Sequence, residues 1–252
     1  MFRAPMLARY EVQYFRCRGC RSLQTELPYW LGEAYSHGEA HSTYDTTRVS
    51  RSRRTCATIL AIYRLAGFKG PALDFGGGTG LLCRMLRDAR VDAYTFDEYD
   101  DGGFAKGFIS KIGERDFDVI SAIEVFEHLP DPRGTLDLLF SSGAKVIVAT
   151  TQAYGEEDAS WDYLALFTGQ HVFFYSKKAL DWIAAKYGYH LARADRFWVF
   201  VRADLPRQVR LRLGLLRKPI ILLSELAIPL QSRSGAHTDG QTIRKRHPTG
   251  LI

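Results

Sequence analysis

The sequence has few cysteines and no long hydrophobic run. Only four of its 252 residues are cysteine, too few for the disulfide framework of a small secreted protein, and this favours a reducing compartment. No uncharged stretch reaches the roughly 18 apolar residues of a membrane-spanning helix. The first residues also lack the apolar stretch of a signal peptide. We therefore expect a cytoplasmic protein.

Acidic residues are scarce toward the C-terminus. Residues 205–252 carry nine Lys and Arg against only Glu225 and Asp239. Because the net charge of the whole chain is +6, the rest of the chain is close to neutral. A nucleic-acid partner is therefore not expected across the main domain. Hydrophobic residues make up 46% of the chain, so a sizeable core is expected.

A dinucleotide-binding fingerprint is also missing. Residues 71–75 form a short apolar run typical of a buried strand, and residues 81–86 continue in a helical pattern. The glycines between them do not follow G-x-G-x-x-G, because the third glycine position is Leu81. The spacing that fits is D-x-G-x-G-x-G, from Asp74 to Gly80. Glycines here permit a sharp turn that brings the backbone close to a ligand at a helix N-terminus.

This stretch resembles the first motif of class I S-adenosylmethionine-dependent methyltransferases. The resemblance implies an α/β fold, in which a Rossmann-like seven-stranded sheet carries helices on both faces. It also implies S-adenosylmethionine as the cofactor. The residues that would lie against the amino-acid end of that cofactor are Asp74, Gly76, Gly78 and Gly80.

An acidic residue follows the second predicted strand, residues 91–96. A carboxylate at the end of this strand can accept hydrogen bonds from both hydroxyls of a cofactor ribose. We expect Asp97 to take this role, with Glu98 and Asp100 as rival candidates in the same acidic cluster. By the same family resemblance, residues 104–108 would lead into a third strand.

Two carboxylates and an imidazole follow the fourth predicted strand, residues 117–123. They are Glu124, Glu127 and His128, in the pattern E-x-x-E-H. Ligands of open α/β sheets bind beyond the carboxyl ends of the strands, so these side chains are expected to face the site. The combination suits general-base catalysis, with Glu127 and His128 as catalytic residues, or a divalent ion. The alternative is that they cap the next helix and contact the methionine end of the cofactor, where Glu124 is expected.

The same pattern resembles ubiquinone-pathway O-methyltransferases and small-RNA 3′-end methyltransferases. In those enzymes a similar E-x-x-E-H and a later histidine can bind a divalent metal. The resemblance implies a magnesium or manganese site formed by Glu124, Glu127, His128 and His171, the last within Gly169–Ser176.

A cysteine pair lies in the predicted N-terminal module, residues 1–46. Cys17 and Cys20 follow a predicted strand over residues 10–15, and C-x2-C is a zinc-knuckle spacing. A structural zinc needs four ligands. His37 and His41 could complete the site, but their spacing is longer than that of a finger and no periodic helix joins them. Two free thiols in a tight turn are the alternative.

Residues 24–36 resemble a subgroup of bacterial methyltransferases associated with glycan and surface-polymer biosynthesis. Members of this subgroup usually carry an earlier C-x2-C, which gives a four-cysteine zinc ribbon. That first pair is absent from this sequence. Either the start of the chain is truncated or the ribbon is degenerate, and in both cases the resemblance does not establish zinc.

A helix over residues 45–67 and an aromatic loop over residues 151–169 each leave two interpretations open. The first half of the helix is rich in arginine, which forms either a solvated face or a contact with the cofactor carboxylate. The aromatic rings of the loop either stack on a sugar or pack over the cleft. Beyond the loop we expect a helix capped by Ser176 and then two closing strands.

The sequence thus divides into the N-terminal module, a methyltransferase domain over residues 47–204 and a basic tail over residues 205–252. The tail either lies on an anionic membrane surface or packs on its own domain or on a second subunit of a homodimer. The predicted function is methyl transfer, chiefly to an oxygen of a small-molecule, sugar or glycan acceptor. An NAD(P)-dependent oxidoreductase and a non-enzymatic module that binds membrane or nucleic acid through the tail are the alternatives.

Overall fold

The computed structural model describes residues 1–36, residues 46–228 and Asp239. Its main element is a mixed six-stranded sheet in the order β5-β4-β6-β7-β10-β9. The strands are β4 (Ala72–Phe75), β5 (Ala93–Phe96), β6 (Val119–Ile123), β7 (Val146–Thr150), β9 (Tyr189–Ala194) and β10 (Phe197–Arg202).

The first four strands of this order are parallel, and the closing pair is antiparallel. The centre is formed by the sequences VISAI of β6 and VIVAT of β7, which are almost entirely buried. Continuous apolar runs with β-branched residues are typical of strands covered on both faces. The α/β fold and the two closing strands predicted from the sequence are therefore confirmed.

The expectation of a seventh strand is wrong for the described residues. Where a third strand was expected, Gly103–Ala105 form a 3-10 turn, and the only parallel pairing is a single bridge between Thr95 and Ile109. Phe104 donates its backbone N–H to the carbonyl of Thr79 at 2.9 Å. This bond holds the segment against the glycine turn, so the chain reaches β5 for one residue only.

Seven helices lie in the described part of the chain. They are α1 (Leu31–Ser36), α2 (Arg48–Ala66), α3 (Leu81–Asp88), α4 (Pro132–Phe140), α5 (Lys177–Lys186), α6 (Arg207–Leu213) and α7, residues 218–228. Helix α2 ends at Gly67, whose φ of 70° is the left-handed conformation of a C-cap. The predicted Ser176 cap is present, since its side chain accepts from the N–H of Ala179.

The N-terminal residues form a second, antiparallel sheet. Its strands are β1 (Phe2–Met6), β2 (Tyr10–Arg16), β3 (Leu23–Thr25) and β8 (Phe173–Phe174). Thus the fourth strand comes from far along the chain, two residues after His171. A separate apolar cluster joins this sheet to the aromatic loop through Tyr14, Trp30 and Leu164. The division into three regions stays a prediction.

The start of the basic tail packs on the main domain. Glu225 of α7 forms ion pairs with Arg53 and Arg54 of α2, and Asp239 pairs with Arg84 and Arg87 of α3. Between residues 46 and 228, and in α1, no helix is long and apolar enough to cross a membrane. The cytoplasmic location stays a prediction.

Candidate active site

The glycine turn connects β4 to α3 in a left-handed backbone. Gly76, Gly78 and Gly80 have φ values of 69°, 51° and 73°, which residues other than glycine rarely adopt. The N–H groups of Gly76 and Gly77 both donate to the carbonyl of Phe96, at 2.8 and 3.1 Å. These bonds fix the turn to the end of β5.

Three glycines of the turn are crowded and one faces open space. A Cβ on Gly77 would lie 2.2 Å from Thr95 Oγ1, and one on Gly76 would lie 2.6 Å from Val125 Cγ2. A Cβ on Gly80 would lie 2.8 Å from the carbonyl oxygen of Gly102. In contrast, a Cβ on Gly78 would meet nothing within 4 Å. The space beside Gly78 is therefore where a ligand can approach the backbone.

Asp74 supports this turn from inside the protein. Its carboxylate is buried and accepts a hydrogen bond from Ser121 Oγ at 2.9 Å. Burial, which disfavours the charged form, raises the pKa of Asp74 to about 7. A Cβ on Gly77 would lie 2.7 Å from Asp74 Oδ2, so this carboxylate also restricts the turn to glycine. Its contact with a cofactor stays a prediction.

Asp97 lies directly against the glycine turn. Its two carboxylate oxygens accept backbone N–H groups at 2.8 Å, Oδ2 from Gly78 and Oδ1 from Tyr99. Glu98 and Asp100 are exposed, and Asp100 accepts from the N–H of Gly102 instead. Of the three acidic candidates, Asp97 is the one whose side chain contacts the turn.

The E-x-x-E-H segment begins with a strained residue. Glu124 directly follows β6 and has a φ of 54°, which costs energy for any residue other than glycine. Its N–H donates to Thr150 Oγ1 at 2.9 Å. The chain then forms a 3-10 turn over Phe126–His128. Since Val125 touches Gly76, this segment adjoins the glycine turn.

Glu127 is completely buried, and only one of its two carboxyl oxygens has a hydrogen-bond partner. Its Oε1 accepts a hydrogen bond from the hydroxyl of Tyr163, whereas its Oε2 has no partner. Burial and, secondarily, the charge of Glu124 raise the pKa of Glu127 to about 8. A buried carboxylate oxygen without a partner is costly, unless a cation or another donor occupies the position in front of it.

His128 and His171 converge on Glu127. One ligand atom from each of the three residues lies within 4.8 Å of the others, and the two imidazole rings are 4.9 Å apart at 89°. Burial lowers the pKa of His128 to about 3, and it also lowers the pKa of His171. Both imidazoles are thus neutral near pH 7, which is the form that binds metal ions.

The chemistry of this group fits a divalent cation. His171 Nδ1 lies 2.7 Å from the backbone carbonyl of Tyr163, so Nδ1 carries the proton and Nε2 has a free lone pair. Such a bond on the remote nitrogen is common for metal-binding histidines. The unpartnered Oε2 of Glu127 offers a carboxylate oxygen once a bound cation has displaced the proton of this group. Glu124, predicted as a fourth ligand, lies outside the three-residue group.

Tyr35 is a site residue that the sequence analysis did not identify. Its hydroxyl lies 3.2 Å from His128 Nδ1, and its ring stacks on Tyr99 at 5.3 Å. Bonds from Trp30 to the carbonyl of Gly169 and from Gln170 to the carbonyl of Ala34 hold α1 in place. The only signal in the sequence was its position within residues 24–36, the segment that carried a family resemblance.

The arginines of α2 divide between two environments. Arg54 forms ion pairs with Asp195 and Glu225, and Arg53 also pairs with Glu225. These two therefore contact the turn after β9 and the tail. The charge of Arg51 is the smallest of the contributions that lower the pKa of His128. A contact of Arg51 with a cofactor carboxylate stays a prediction.

The aromatic loop packs mainly on itself. Trp161 lies 5.8 Å from Tyr154 and 5.4 Å from Phe174 between ring centroids. Tyr163 lies 4.6 Å from the ring of His171 and binds Glu127. The loop therefore supports the buried acid and the histidine, which is the packing interpretation of its rings.

The cysteine pair forms a tight turn at the surface. The N–H of Cys20 points to Cys17 Sγ at 3.5 Å, and both thiols are free. Backbone hydrogen bonds, first that from Cys20, lower the pKa of Cys17. Neither cysteine joins a group of three ligands in the described chain. His37 and His41 lie outside the described residues, so the zinc prediction stays open.

Comparisons with known proteins agree with this geometry. The sequence matches the methyltransferase domain family over residues 50–194, and no curated protein matches it. An O-methyltransferase family protein from Burkholderia thailandensis shares the fold, with a TM-score of 0.51 and 10% identity over 75% of this chain and 66% of that one.

Two further structures are similar at lower scores. The methyltransferase domain of bacterial CtHen1-C has a TM-score of 0.43 and 18% identity, over 60% of this chain and 98% of that chain. Magnesium protoporphyrin IX methyltransferase from Synechocystis PCC 6803, with bound SAH, has a TM-score of 0.49 and 16% identity, over 68% and 92%. The family match itself covers more than half of this sequence, so the chain belongs to the methyltransferase domain family.

Proposed function

We propose that the protein transfers a methyl group from S-adenosylmethionine to an oxygen of a sugar, glycan or other small-molecule acceptor. The observation that carries this proposal is the position of Glu127, His128 and His171 beside the glycine turn, with Val125 in contact with Gly76. Methyl transfer needs the donor's methyl group and the acceptor's nucleophile in line. A glycine turn for the donor and polar groups next to it meet that need.

Methyl transfer forms one bond and breaks one bond at the methyl carbon. A lone pair of the acceptor oxygen attacks the methyl carbon, and the bond from that carbon to sulfur breaks. Its electron pair returns to the sulfonium sulfur, which leaves S-adenosylhomocysteine. The proton of the acceptor hydroxyl must go to a base, either a side chain of the site or water.

His128 can take one of two roles in this step. Its neutral imidazole has a lone pair for the hydroxyl proton, but a pKa of about 3 makes it a weak base. The same neutral form is suited to hold a divalent cation together with Glu127 and His171. A bound cation would stabilise the negative charge that develops on the acceptor oxygen. The low pKa favours the ligand role over the base role.

The glycan class of acceptor is supported by the N-terminal segment. Residues 24–36 resemble the subgroup associated with glycan and surface-polymer biosynthesis, and they place Tyr35 against His128. A hydroxyl acceptor also suits a site with a carboxylate and two imidazoles, because such a group can bind a divalent cation that in turn binds oxygen.

Calorimetry on the full chain tests the cofactor. We expect S-adenosylmethionine to bind with a Kd in the micromolar range and NAD(P) not to bind. Formation of S-adenosylhomocysteine is then measured with sugars and with amines as acceptors. We expect product with hydroxyl acceptors and a loss of turnover in His128→Ala with little change in cofactor Kd. Binding of NAD(P) without S-adenosylmethionine would contradict the proposal and support an oxidoreductase.

A further inference from the structure

The last described helix, α7, has no polar face. Ile221 and Ser224 are buried, and Arg64 donates to Ser224 Oγ at 3.4 Å. Glu225 is neutralised by the arginines of α2. The opposite side carries leucines, of which Leu223 is 67% exposed and Leu226 is 75% exposed. An outer helix face made of leucines leaves apolar surface in water unless a second apolar environment covers it.

Basic side chains precede these leucines along the chain. Residues 205–228 contain five Lys and Arg but only one acid, Glu225. Arg207, Arg212 and Lys218 are exposed, and none of them forms an ion pair within the described ranges. Because Glu225 already has two arginine partners, the positive charge of this surface is not balanced by α6 and α7 themselves.

A cavity of about 380 Å³ lies between α6 and the strands β9 and β10. Val199, Val201 and Leu216 line it, together with arginines of α6 and the following loop. This volume is within the range of ligand pockets. Apolar walls and cationic groups are thus combined a second time, beside α6.

We propose that α6 and α7 dock the protein on the surface of an anionic phospholipid bilayer. The exposed leucines enter the boundary of the acyl chains, and the basic residues contact lipid phosphates. Since no helix of the described ranges can cross a membrane, the contact is peripheral. This proposal does not depend on the methyl-transfer reaction.

Charge favours a lipid surface over a second copy of the chain. A symmetric contact through α6 and α7 would bring five basic residues from each copy together against one acid each, and like charges repel. An anionic bilayer removes this repulsion and supplies the apolar layer for Leu222, Leu223 and Leu226.

Flotation of the full chain with vesicles tests the proposal. We expect binding to vesicles of phosphatidylcholine and phosphatidylglycerol in equal parts, no binding to phosphatidylcholine alone, and loss of binding at high salt. The triple change Leu222→Ser, Leu223→Ser and Leu226→Ser should abolish flotation. Arg212→Gln with Lys218→Gln should lower the partition coefficient by about tenfold or more.

Matched controls separate docking from folding. Leu27→Ser and Leu138→Ser change exposed leucines elsewhere and should leave flotation unchanged. The melting temperature and cofactor Kd of each variant report the fold. The proposal is overturned if the full chain does not float with anionic vesicles, or if it floats equally with neutral ones. It is also overturned if the leucine changes abolish dimerisation in sedimentation experiments but not flotation.

Discussion

The hydroxyl of Tyr35 lies 3.2 Å from Nδ1 of His128, although the two residues follow strands of different sheets. Tyr35 belongs to α1, which follows the N-terminal sheet, and His128 ends the 3-10 turn after β6. The ring of Tyr35 also stacks on Tyr99, whose N–H binds Asp97. One tyrosine therefore connects the predicted ribose-binding acid to the predicted catalytic histidine.

Removal of this hydroxyl should affect turnover more than cofactor binding. In Tyr35→Phe the ring still stacks on Tyr99, but the bond to His128 is lost. A hydrogen bond of this kind contributes about 0.5–1.5 kcal/mol, so we expect kcat to fall by about 3- to 10-fold. The cofactor Kd, measured by calorimetry, should stay within about twofold because the stacked ring is retained.

Tyr14→Phe is the matched control for this change. Tyr14 is buried in the N-terminal sheet, and its hydroxyl has no hydrogen-bond partner. We expect no loss of kcat from this variant. If both substitutions lower kcat equally, Tyr35 acts on the stability of the N-terminal sheet and not on His128.

Two neighbouring glycines should respond differently to alanine. In Gly77→Ala the new Cβ would overlap Thr95 Oγ1 and Asp74 Oδ2, so we expect a lower melting temperature together with loss of cofactor binding. In Gly78→Ala the new Cβ points into open space. The positive φ costs about 1 kcal/mol, and the methyl group would occupy the space in which we expect the cofactor to bind. Gly78→Ala should therefore weaken cofactor binding in calorimetry with a small change in melting temperature.

Divalent cations should stabilise the folded protein through Glu127, His128 and His171. A ligand at free concentration L that binds only the folded state stabilises it by RT ln(1 + L/Kd) and so raises the melting temperature. We expect Mg²⁺ or Mn²⁺ to raise the melting temperature of the chelator-treated protein, and His171→Ala to remove that rise. Glu114→Gln, a change at an acid outside this group, should retain it. A shift that persists in both Glu127→Gln and His171→Ala would place the cation elsewhere.

Asp74 should make the stability of the protein fall as pH rises. Its pKa is about 7 in the folded state and 3.8 in its ordinary environment, so between these values the folded state holds a proton that the unfolded state has lost. Unfolding then releases a proton, and the free energy of unfolding decreases from about pH 4 to pH 7. Asp74→Asn should remove this part of the decline, on the order of 2–4 kcal/mol, in urea titrations at pH 5 and pH 8.

Asp137→Asn provides the comparison of opposite sign. Hydrogen bonds from Tyr187 and Lys186 lower the pKa of Asp137, so its contribution is present at neutral pH and is lost as pH falls through the lowered pKa. This variant should leave the decline between pH 5 and pH 8 intact. An Asp74→Asn profile parallel to that of the unchanged protein would show that the pKa of Asp74 is not raised.

The elements that local patterns specify were predictable from the sequence. The apolar runs of β4, β6 and β7 and the Ser176 cap depend on residues within a few positions of each other. The absence of the expected third strand from the described residues was not predictable in this way. Residues 103–105 form a 3-10 turn, and Phe104 there donates to the carbonyl of Thr79, a contact between segments that no local pattern reveals.

The residues of the site also divide into those that local sequence patterns predicted and those that they did not. Asp97 and the E-x-x-E-H segment could be placed because they directly follow strands of a parallel sheet. Tyr35, Tyr163 and the exclusion of Glu124 from the three-residue group could not, since each depends on how distant loops pack. The pKa values of Glu127 and His128 also follow from burial, which the sequence alone does not give.

The sequence by itself determined the glycine turn and the residues that follow each parallel strand, because these depend on short-range spacing and on backbone conformations that only glycine adopts easily. The methyltransferase fold was implied by the resemblance of these motifs to that family. Tertiary structure decided which side chains meet at the site. It joined β8 to the N-terminal sheet, brought His171 to Glu127 and His128, and placed Tyr35 over the same group. Those contacts link residues that lie far apart in the sequence, and only packing of the whole chain fixes them.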